Sequence, residues 1–225
     1  LNPAQRAAVM HGNGPLLIVA GAGSGKTKTL TSRMLHLLSC GIPASQILAI
    51  TFTNKAAAEM RERISRALGA ELDALFVGTF HSWGARFLKI EGGALGRTSN
   101  FSIFDEDDAL RLIKNIVKEM DLDKERYSPG MFRARISKIK NELQDVAMPE
   151  EAGNFMDELV SRVYRAYEEA LKKQNAFDFD DLITNPARLL KSDEALRAKW
   201  DNRYQHVLVD EYQDTNTAQY VLVKM

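Results

Sequence analysis

The sequence predicts an α/β fold in which a parallel sheet is flanked by helices and interrupted by an inserted all-helical domain. Over roughly the first ninety residues, short apolar runs alternate with amphipathic segments, which is the pattern of strand-helix-strand units. From residue 105 to 190 only helical periodicity is found, and a strand pattern returns near residue 205. We therefore predict a sheet domain in 1–104, a helical insert in 105–190, and a return to the sheet domain in 191–225, with the sheet incomplete at the C-terminus.

Four apolar runs are the predicted strands, and each leads into a helix. They are Pro15–Ala20, Ile47–Phe52, Leu75–Gly78 and His206–Val209. In the insert, apolar residues spaced by three and four positions predict three helices with one buried face each. These helices are centred on Leu110–Met120, Phe132–Leu143 and Phe155–Leu171.

The composition is that of an ordinary globular chain. Among 225 residues, 30 basic side chains balance 30 acidic ones and 45% of residues are apolar, which excludes a disordered chain and a general polyanion binder. No apolar run is long enough to span a bilayer, so no membrane association is predicted. The start at Leu1 shows no initiator Met and no leader, so we expect a trimmed or partial chain. The single Cys40 excludes an internal disulfide and favours a reducing compartment, the cytoplasm.

A glycine-rich motif, Ala20-Gly21-Ala22-Gly23-Ser24-Gly25-Lys26-Thr27, lies between the first predicted strand and a predicted helix. In this context, glycines let backbone N–H groups surround a polyphosphate at a helix N-terminus. Lys26 is expected to reach the β- and γ-phosphates, and the Thr27 hydroxyl to bind Mg²⁺. Ala20 replaces the first glycine of the strict pattern. The alternative is a glycine-rich turn followed by a solvated lysine.

A second motif is the apolar run Val207–Val209 followed by Asp210 and Glu211. Acids at such a strand end hold Mg²⁺ through the first carboxylate and leave the second to deprotonate the attacking water. The alternative is that both acids cap the next helix, whose first turn favours negative charge. The phosphate loop favours the first interpretation, since both motifs lie at the carboxyl edge of one predicted sheet.

Polar and aromatic residues follow the other two predicted strands, in Thr51–Lys55 and Gly78–Trp83. Hydroxyls at a helix N-terminus suit a phosphodiester, and an exposed ring stacks on any base, so the pattern favours single-stranded nucleic acid. The alternative is that Thr53 or Asn54 caps a helix while Phe52, Phe80 and Trp83 lie in the core. For Trp83 and Phe80 the core is at least as well supported.

Two charged segments of the insert need interpretation. Arg126–Lys140 carries five cations and no acid, which indicates either side chains that snorkel around a buried stripe or a contact with nucleic-acid phosphates. Phe177–Leu182 carries alternating acids but lacks the glycine and the oxygen ligand of a calcium loop. We interpret it as a hinge back to the sheet, with its acids on the polar face.

Taken together, the motifs resemble those of the superfamily 1 DNA helicases of the UvrD/PcrA/Rep group. They occur in the family's order over essentially the whole chain. The matching segments are Leu1-Asn2-x-x-Gln5, Ala20–Thr27, Thr51–Ala57, Gly78–His81, Phe177–Leu182 and Asp210-Glu211-Tyr212-Gln213-Asp214.

The resemblance implies a RecA-like motor domain and a role for each matching residue. It implies adenine recognition by Gln5, triphosphate binding by Ala20–Thr27, a Mg²⁺ site at Thr27 and Asp210, and catalysis by Glu211 with Lys26 and Gln213. The residues it implies in single-stranded DNA binding are Phe52, Thr53, Asn54, Lys55, Thr79, Phe80 and His81.

The resemblance also implies an ATP-driven motor that moves 3′ to 5′ on single-stranded DNA and acts at junctions with duplex. The second RecA-like domain and its arginines have no counterpart in this sequence, so we expect this chain alone to bind nucleotide weakly, to hydrolyse it barely and not to unwind duplex. Three alternatives stay open: a recombination helicase of the RecB or AddA type, a P-loop kinase or signalling NTPase, and a catalytically silent DNA-binding module.

Overall fold

The computed structural model describes residues 1–21, 23–70, 73–123, 126–145 and 154–224. It is α/β, with a parallel sheet flanked by helices, as predicted. The helices are α1 (Pro3–Met10), α2 (Lys26–Ser39), α3 (Asn54–Leu68), α4 (Phe80–Glu91), α5 (Glu106–Glu119), α6 (Pro129–Asn141), α7 (Phe155–Lys173), α8 (Asp181–Ser192), α9 (Glu194–Arg203) and α10 (Thr217–Lys224). The strands are β1 (Ile47–Thr51), β2 (Phe76–Thr79), β3 (Ser102–Phe104), β4 (Ala176–Asp178) and β5 (His206–Val209).

The chain forms two compact units. Unit 1 comprises Leu1–Phe80 and Glu194–Asp214, and unit 2 comprises His81–Asp193 and Thr215–Met225. The domain limits drawn from the sequence, 105 and 190, stay a prediction. None of the described helices is both long and apolar enough to cross a bilayer.

Unit 1 is built on a parallel sheet with the strand order β2-β1-β5. The central strand β1 is buried along its whole length, which explains its uninterrupted apolar sequence. Helices α2 and α3 cover the sheet with Met34, Met60 and Ile64, which pack against β1 and Val77. All three strands end at the same edge, so the residues that follow them are brought to that edge.

The strand predicted at Pro15–Ala20 is absent, and this prediction was wrong. Residues 15–20 have no regular secondary structure, and Val19 is 88% exposed. An apolar run becomes a parallel strand only where neighbouring strands satisfy its backbone groups and helices cover its faces. Within the described residues, the sheet contains β2, β1 and β5 and does not pair with this run.

Unit 2 has a core formed by the predicted apolar stripes of α5, α6 and α7. Ile113, Phe132, Val163 and Tyr167 are among its fully buried members. The ends of the stripes are less buried than predicted, since Phe155 is exposed. Unit 2 also contains a short parallel pairing of β3 with β4, which the sequence analysis did not predict.

A buried lysine, Lys140, joins α6 to α7, β4 and α8. Its side chain is 2% exposed, and its Nζ lies 2.8 Å from Asp178 Oδ2, 2.7 Å from Asp181 Oδ1 and 2.7 Å from Glu168 Oε1. Tyr167 donates a further hydrogen bond of 2.9 Å to Asp178 Oδ2. The predicted polar face for the acids of Phe177–Leu182 was therefore wrong for Asp178 and Asp181, because Lys140 compensates their charge inside the core.

Burial and the neighbouring charges shift the pKa values of Lys140, Asp178 and Asp181 in different directions. Burial would lower the pKa of Lys140, but Asp181, Asp178 and Glu168 outweigh it and hold that pKa well above its ordinary value. Burial would raise the pKa of Asp178, but Lys140 outweighs it and keeps that pKa below its ordinary value. Burial and the charges of Asp178 and Glu168 raise the pKa of Asp181 well above its ordinary value. Of the two aspartates that contact Lys140, Asp178 is therefore the more acidic.

Other cations of the basic segment Arg126–Lys140 are paired within unit 2. Arg133 binds Glu106 at the start of α5, Arg135 lies 3.5 Å from Asp157, and Lys138 lies 3.9 Å from Glu142. The excess positive charge in the sequence is therefore largely matched, by acids from other elements and by Glu142 at the C-terminus of α6. Lys140 is also too deeply buried to reach a DNA phosphate, so the hypothesis of phosphate contact fails for this residue.

Gly84 allows α4 to approach the N-terminus of α8 closely. A Cβ atom at this position would lie 1.6 Å from the carbonyl oxygen of Leu182. The contact is to backbone, which cannot rotate away as a flexible side chain does. Gly84 therefore sets the distance between the two helices.

We expect Gly84→Ala to lower the free energy of unfolding by about 3 kcal/mol, near the upper end for overpacking, because one of the two helices must move. The measurement is chemical denaturation. Gly130→Ala is the matched control, since Gly130 lies in α6 with open space around its Cα, and alanine there is expected to be neutral or slightly stabilising. Equal changes in the free energy of unfolding of the two variants would contradict the inference that Gly84 is needed for the close approach of α4 and α8.

Candidate nucleotide-binding site and DNA-contact surfaces

The predicted phosphate loop forms an irregular turn that leads directly into α2. Gly23 and Gly25 have φ values of +73° and +85°, a left-handed backbone that favours glycine. Gly25 is the N-cap of α2, so the free N–H groups of the first helical turn, which begins at Lys26, lie at the end of the loop. Ala22 lies outside the described residues. A helix N-terminus of this kind favours an anion.

The side chain of Lys26 lies between the phosphate loop and the end of β5. Its Nζ donates a hydrogen bond of 3.3 Å to the carbonyl oxygen of Ala20 and lies 3.8 Å from Glu211 Oε2. The structure thus brings together two motifs that are 185 positions apart in the sequence, 211 minus 26. A cation and a carboxylate this close suit a reaction in which charge on a phosphate group is neutralised and water loses a proton.

The backbone changes conformation immediately after β5. The Asp210 N–H still donates to the carbonyl oxygen of Ile50 at 2.9 Å, as in the sheet, whereas Glu211 has a φ of +52°. A left-handed conformation costs a residue with a side chain roughly 1–2 kcal/mol. The turn is held by bonds from the Glu211 N–H to Asp210 Oδ1 and from Gln213 Nε2 to Glu211 Oε2. The predicted catalytic residues Glu211 and Gln213 are therefore in direct contact.

The Asp210 carboxyl has the properties of a ligand for a hard cation. Burial and then the charge of Glu211 raise its pKa above the ordinary value, although a hydrogen bond from Glu211 and the charge of Lys26 act in the opposite direction. A divalent cation would relieve this excess of negative charge. Thr27 lies in the first turn of α2 and carries the hydroxyl oxygen that is predicted to bind the same cation. Oxygen donors of this kind, completed by phosphate oxygens, fit Mg²⁺.

Gln5 connects α1 with the phosphate loop. Its N–H donates to Asn2 Oδ1 and its Oε1 accepts from the Asn2 N–H, which is a capping box at the start of α1. Its Nε2 donates to the carbonyl oxygen of Ser24 at 2.8 Å. The amide predicted to recognise adenine therefore lies against the loop. Its structural use as a cap was not predicted, although Asn2-x-x-Gln5 matches the sequence pattern of a capping box.

Arg33 is a residue of this region that the sequence analysis missed. Its guanidinium donates to the carbonyl oxygens of Ala8, Val9, His11 and Gly12, at 2.7 to 3.3 Å. These carbonyls lie at and just beyond the C-terminus of α1, where a cation is favourable. Arg33 therefore fixes α1 on α2, and Gln5 fixes the other end of α1 on the loop.

The first predicted DNA-contact surface lies at the ends of β1 and β2. Thr51 and Thr79 are register partners, and both are buried. Thr53 caps α3 by accepting a hydrogen bond from the Ala56 N–H, so the alternative role as a helix cap is confirmed. Asn54 and Lys55, in the first turn of α3, are exposed.

The two aromatic rings of this surface have different roles. Phe80 is 1% exposed and belongs to the core, as does Trp83, so the alternative of a core position is confirmed for both rings, and a contact of Phe80 with DNA stays a prediction. Phe52 is partly buried, and its ring packs edge-to-face on Phe80 at 5.6 Å. Phe80 therefore supports Phe52, which is the less buried of the two rings.

In unit 2, His81 and Phe179 form an aromatic pair that the sequence analysis did not identify. Their ring centroids are 4.5 Å apart, and Phe179 is 51% exposed. Burial lowers the pKa of His81, while the charge of Asp180 opposes this effect. The two ring planes are tilted by 39°, so the exposed phenyl ring, packed on a neutral imidazole, is the aromatic surface on which a base could stack. The signal in the sequence was Phe179 itself, an apolar residue between acids.

Comparison with known proteins decides the family. The family model described as the UvrD/REP helicase N-terminal domain matches residues 1–225. The chain belongs to the UvrD/Rep helicase family. It is 48% identical over 230 residues to the ATP-dependent DNA helicase UvrD1 of Mycobacterium bovis, 45% over 229 residues to PcrA of Bacillus subtilis, and 43% over 231 residues to Rep of Escherichia coli. These alignments cover 100% of this chain but only 30, 31 and 34% of the three helicases.

The family membership confirms the resemblance to the UvrD/PcrA/Rep group that the sequence motifs indicated. The chain spans about a third of the length of the relatives it matches. The roles of individual residues stay predictions, and the geometry above indicates how each can be tested.

We expect Arg33→Met to accelerate amide hydrogen exchange in α1 by about 10- to 100-fold, because hydrogen bonds to a charged group contribute about 1.5–3 kcal/mol each. Exchange measured by mass spectrometry on peptides that cover Pro3–Met10 tests this expectation. The control is Arg66→Met, which removes an exposed arginine of α3 in the same unit. Unchanged exchange in α1 would show that Arg33 does not hold this helix.

Proposed function

We propose that the protein is an ATP-dependent DNA helicase or translocase that couples ATP hydrolysis to movement along single-stranded DNA and to duplex unwinding, in DNA repair or replication. The observation that carries the proposal is the approach of Lys26 to Glu211, which joins a phosphate-binding loop to a carboxylate at one sheet edge. Family membership supports the same conclusion, because the relatives are named ATP-dependent DNA helicases.

In the proposed mechanism, backbone N–H groups of residues 20–27 and the ammonium of Lys26 bind the triphosphate and neutralise charge as the terminal phosphoryl group leaves. Thr27 and Asp210 would hold Mg²⁺, which supplies further charge neutralisation at the phosphates. Glu211 orients the attacking water and accepts its proton. Gln213, whose amide binds Glu211, is proposed to sense the terminal phosphate.

Base recognition is assigned to Gln5. Its Oε1 and Nε2 are each used once, by Asn2 and Ser24, so each atom retains capacity for one more hydrogen bond. An adenine edge that pairs with both atoms would be connected directly to the phosphate loop through the Ser24 carbonyl.

Single-stranded DNA is the proposed polymer substrate, and junctions with duplex are the proposed sites of action. In unit 1, Phe52 offers a ring, while Thr53, Asn54 and Lys55 lie at the exposed start of α3, where a phosphate is favourable. Thr79 follows the neighbouring strand and is proposed to support this contact. In unit 2, His81 and Phe179 offer a second stacking surface. Stacking without hydrogen bonds to base edges gives binding that tolerates any sequence.

We propose that the protein moves in the 3′ to 5′ direction with the help of a second motor domain in the same protein. We propose that arginines from such a domain complete the ATP site, since an arginine at the transferred phosphoryl group accelerates related reactions by about 10³ to 10⁵. The 225-residue chain alone is then expected to bind nucleotide weakly, with hydrolysis close to background and no unwinding.

Two substitutions separate nucleotide binding from hydrolysis. We expect Lys26→Ala to weaken ATP binding by at least about tenfold, because it removes the charge that contacts the phosphates. Glu211→Gln is expected to retain binding and to lower DNA-stimulated hydrolysis by about 10² to 10⁴, the range for loss of a general base. Nucleotide affinity and steady-state hydrolysis, with and without single-stranded DNA, measure both effects in the full-length protein.

The control for both variants is Lys28→Ala, which removes an exposed lysine of the same helix. An unchanged ATP affinity of the Lys26→Ala variant would contradict the assignment of this segment as a phosphate-binding loop. Hydrolysis that DNA does not stimulate would favour an NTPase that acts on another substrate.

We expect Phe52→Ala to weaken binding of an oligo(dT) strand by about 5- to 150-fold, the equivalent of about 1–3 kcal/mol for one lost stack. The dependence of affinity on salt should not change, because no phosphate contact is removed. Fluorescence anisotropy of a labelled strand over a salt series gives both quantities. Phe155→Ala, at an exposed phenylalanine of α7, is the control. Equal affinities for the Phe52 and Phe155 variants would exclude Phe52 as a stacking residue.

A further inference from the structure

A four-residue turn, Asp178–Asp181, connects β4 to α8 and presents the Phe179 ring. The Asp178 N–H donates to Asp181 Oδ2 at 3.0 Å, and the Asp181 N–H donates to Asp178 Oδ1 at 2.8 Å. The two end residues therefore close the turn on each other. Their remaining carboxylate oxygens both accept hydrogen bonds from Lys140 Nζ, at 2.8 and 2.7 Å.

The middle residues of the turn project to the surface. Phe179 is half-exposed against His81, and Asp180 Oδ1 accepts a hydrogen bond of 2.8 Å from Asn141 Nδ2. Asn141 is the neighbour of Lys140 at the end of α6. The C-terminal end of α6 thus contacts the turn twice. The buried Lys140 binds the two end residues of the turn, and Asn141 binds Asp180 nearer the surface.

A steric contact fixes the position of the His81 ring, which packs on Phe179. Gly84 lies one helical turn after His81, and Leu182 lies three residues after Phe179. The close approach of Gly84 to the Leu182 carbonyl brings the start of α4 beside the turn. The position of His81 is therefore set by packing, whereas the position of Phe179 depends on the conformation of the turn.

We propose that Lys140 is a positioning residue for DNA binding, which acts by fixing the turn Asp178–Asp181 so that the Phe179 ring stays exposed on His81. The proposal rests on the proposed function of this ring pair as a stacking surface. A lysine that bound DNA phosphate would need to be accessible, and Lys140 is buried. Apolar residues of similar volume often stabilise a core as well as a buried ion cluster does, so stability alone does not account for these charges. What Lys140 adds is one defined arrangement of the turn.

A double-mutant cycle between Lys140→Met and Phe179→Ala tests the proposal through oligo(dT) affinity. Each single variant is expected to weaken binding by about 5-fold or more, the effect of losing one stack. In the Phe179→Ala background, Lys140→Met is expected to add less than about 2-fold, because its effect passes through the ring. Independent, multiplicative losses would overturn the positioning role. Lys138→Met, an exposed lysine of the same helix, is the control.

A second readout does not involve DNA. Lys140→Met is expected to accelerate amide hydrogen exchange in Phe179–Asp181 by about tenfold or more, while ATP affinity stays unchanged as a check that the rest of the protein is folded. Unchanged exchange would overturn the proposal. A Phe179→Ala variant with normal DNA affinity would instead overturn the DNA role of this surface, so the two failures are distinguishable.

If Lys140→Met does not fold, the double variant Lys140→Gln with Asp178→Asn replaces it in both measurements. This variant removes one positive and one negative charge and keeps side chains of similar shape. The same expected and contradicting results apply to it.

Discussion

Burial of the Lys140 ammonium is the constraint on which the organisation of unit 2 depends. A lone charge at this depth is unstable, so the chain must supply carboxylates from several elements, and it does so from α7, β4 and α8. Removing one member of such a cluster typically costs about 3–5 kcal/mol, because the others are left without compensation. The helical core and the turn that carries Phe179 are therefore specified by the same four side chains.

Unit 1 is organised by the carboxyl edge of its parallel sheet. β1, β2 and β5 end together, and the residues that follow them supply the side chains assigned to DNA and nucleotide. This placement allows chemistry from distant parts of the sequence to meet at Lys26 and Glu211. The left-handed backbone at Glu211 adds local strain at the carboxylate that is proposed to activate water, and such strain is common at functional sites.

Much of this arrangement could be predicted from the sequence, because the burial of a strand and the backbone conformation of a loop leave a pattern in the residues of that same segment. β1 is a fully buried strand and its sequence is an apolar run, and Gly23 and Gly25 of the phosphate loop have the left-handed backbone conformation that glycine adopts most readily. The run Pro15–Ala20 has the same apolar pattern but no strand partner within the described residues. The sequence of one segment does not show whether another strand pairs with it. The burial of Lys140 depends on acids 28 to 41 positions away, which no helical periodicity reports. The aromatic pair of His81 and Phe179 was missed for the same reason.

Gly84 has a consequence for how unit 2 folds. A glycine in the interior of a helix makes that helix about 1 kcal/mol less stable than alanine would, so α4 is weakened at its centre. Its buried face, which includes Phe80, Phe87 and Leu88, compensates only when the surrounding elements are in place. Helix α4 therefore forms cooperatively with α8, and a peptide of residues 80–91 on its own will be mostly unfolded in water.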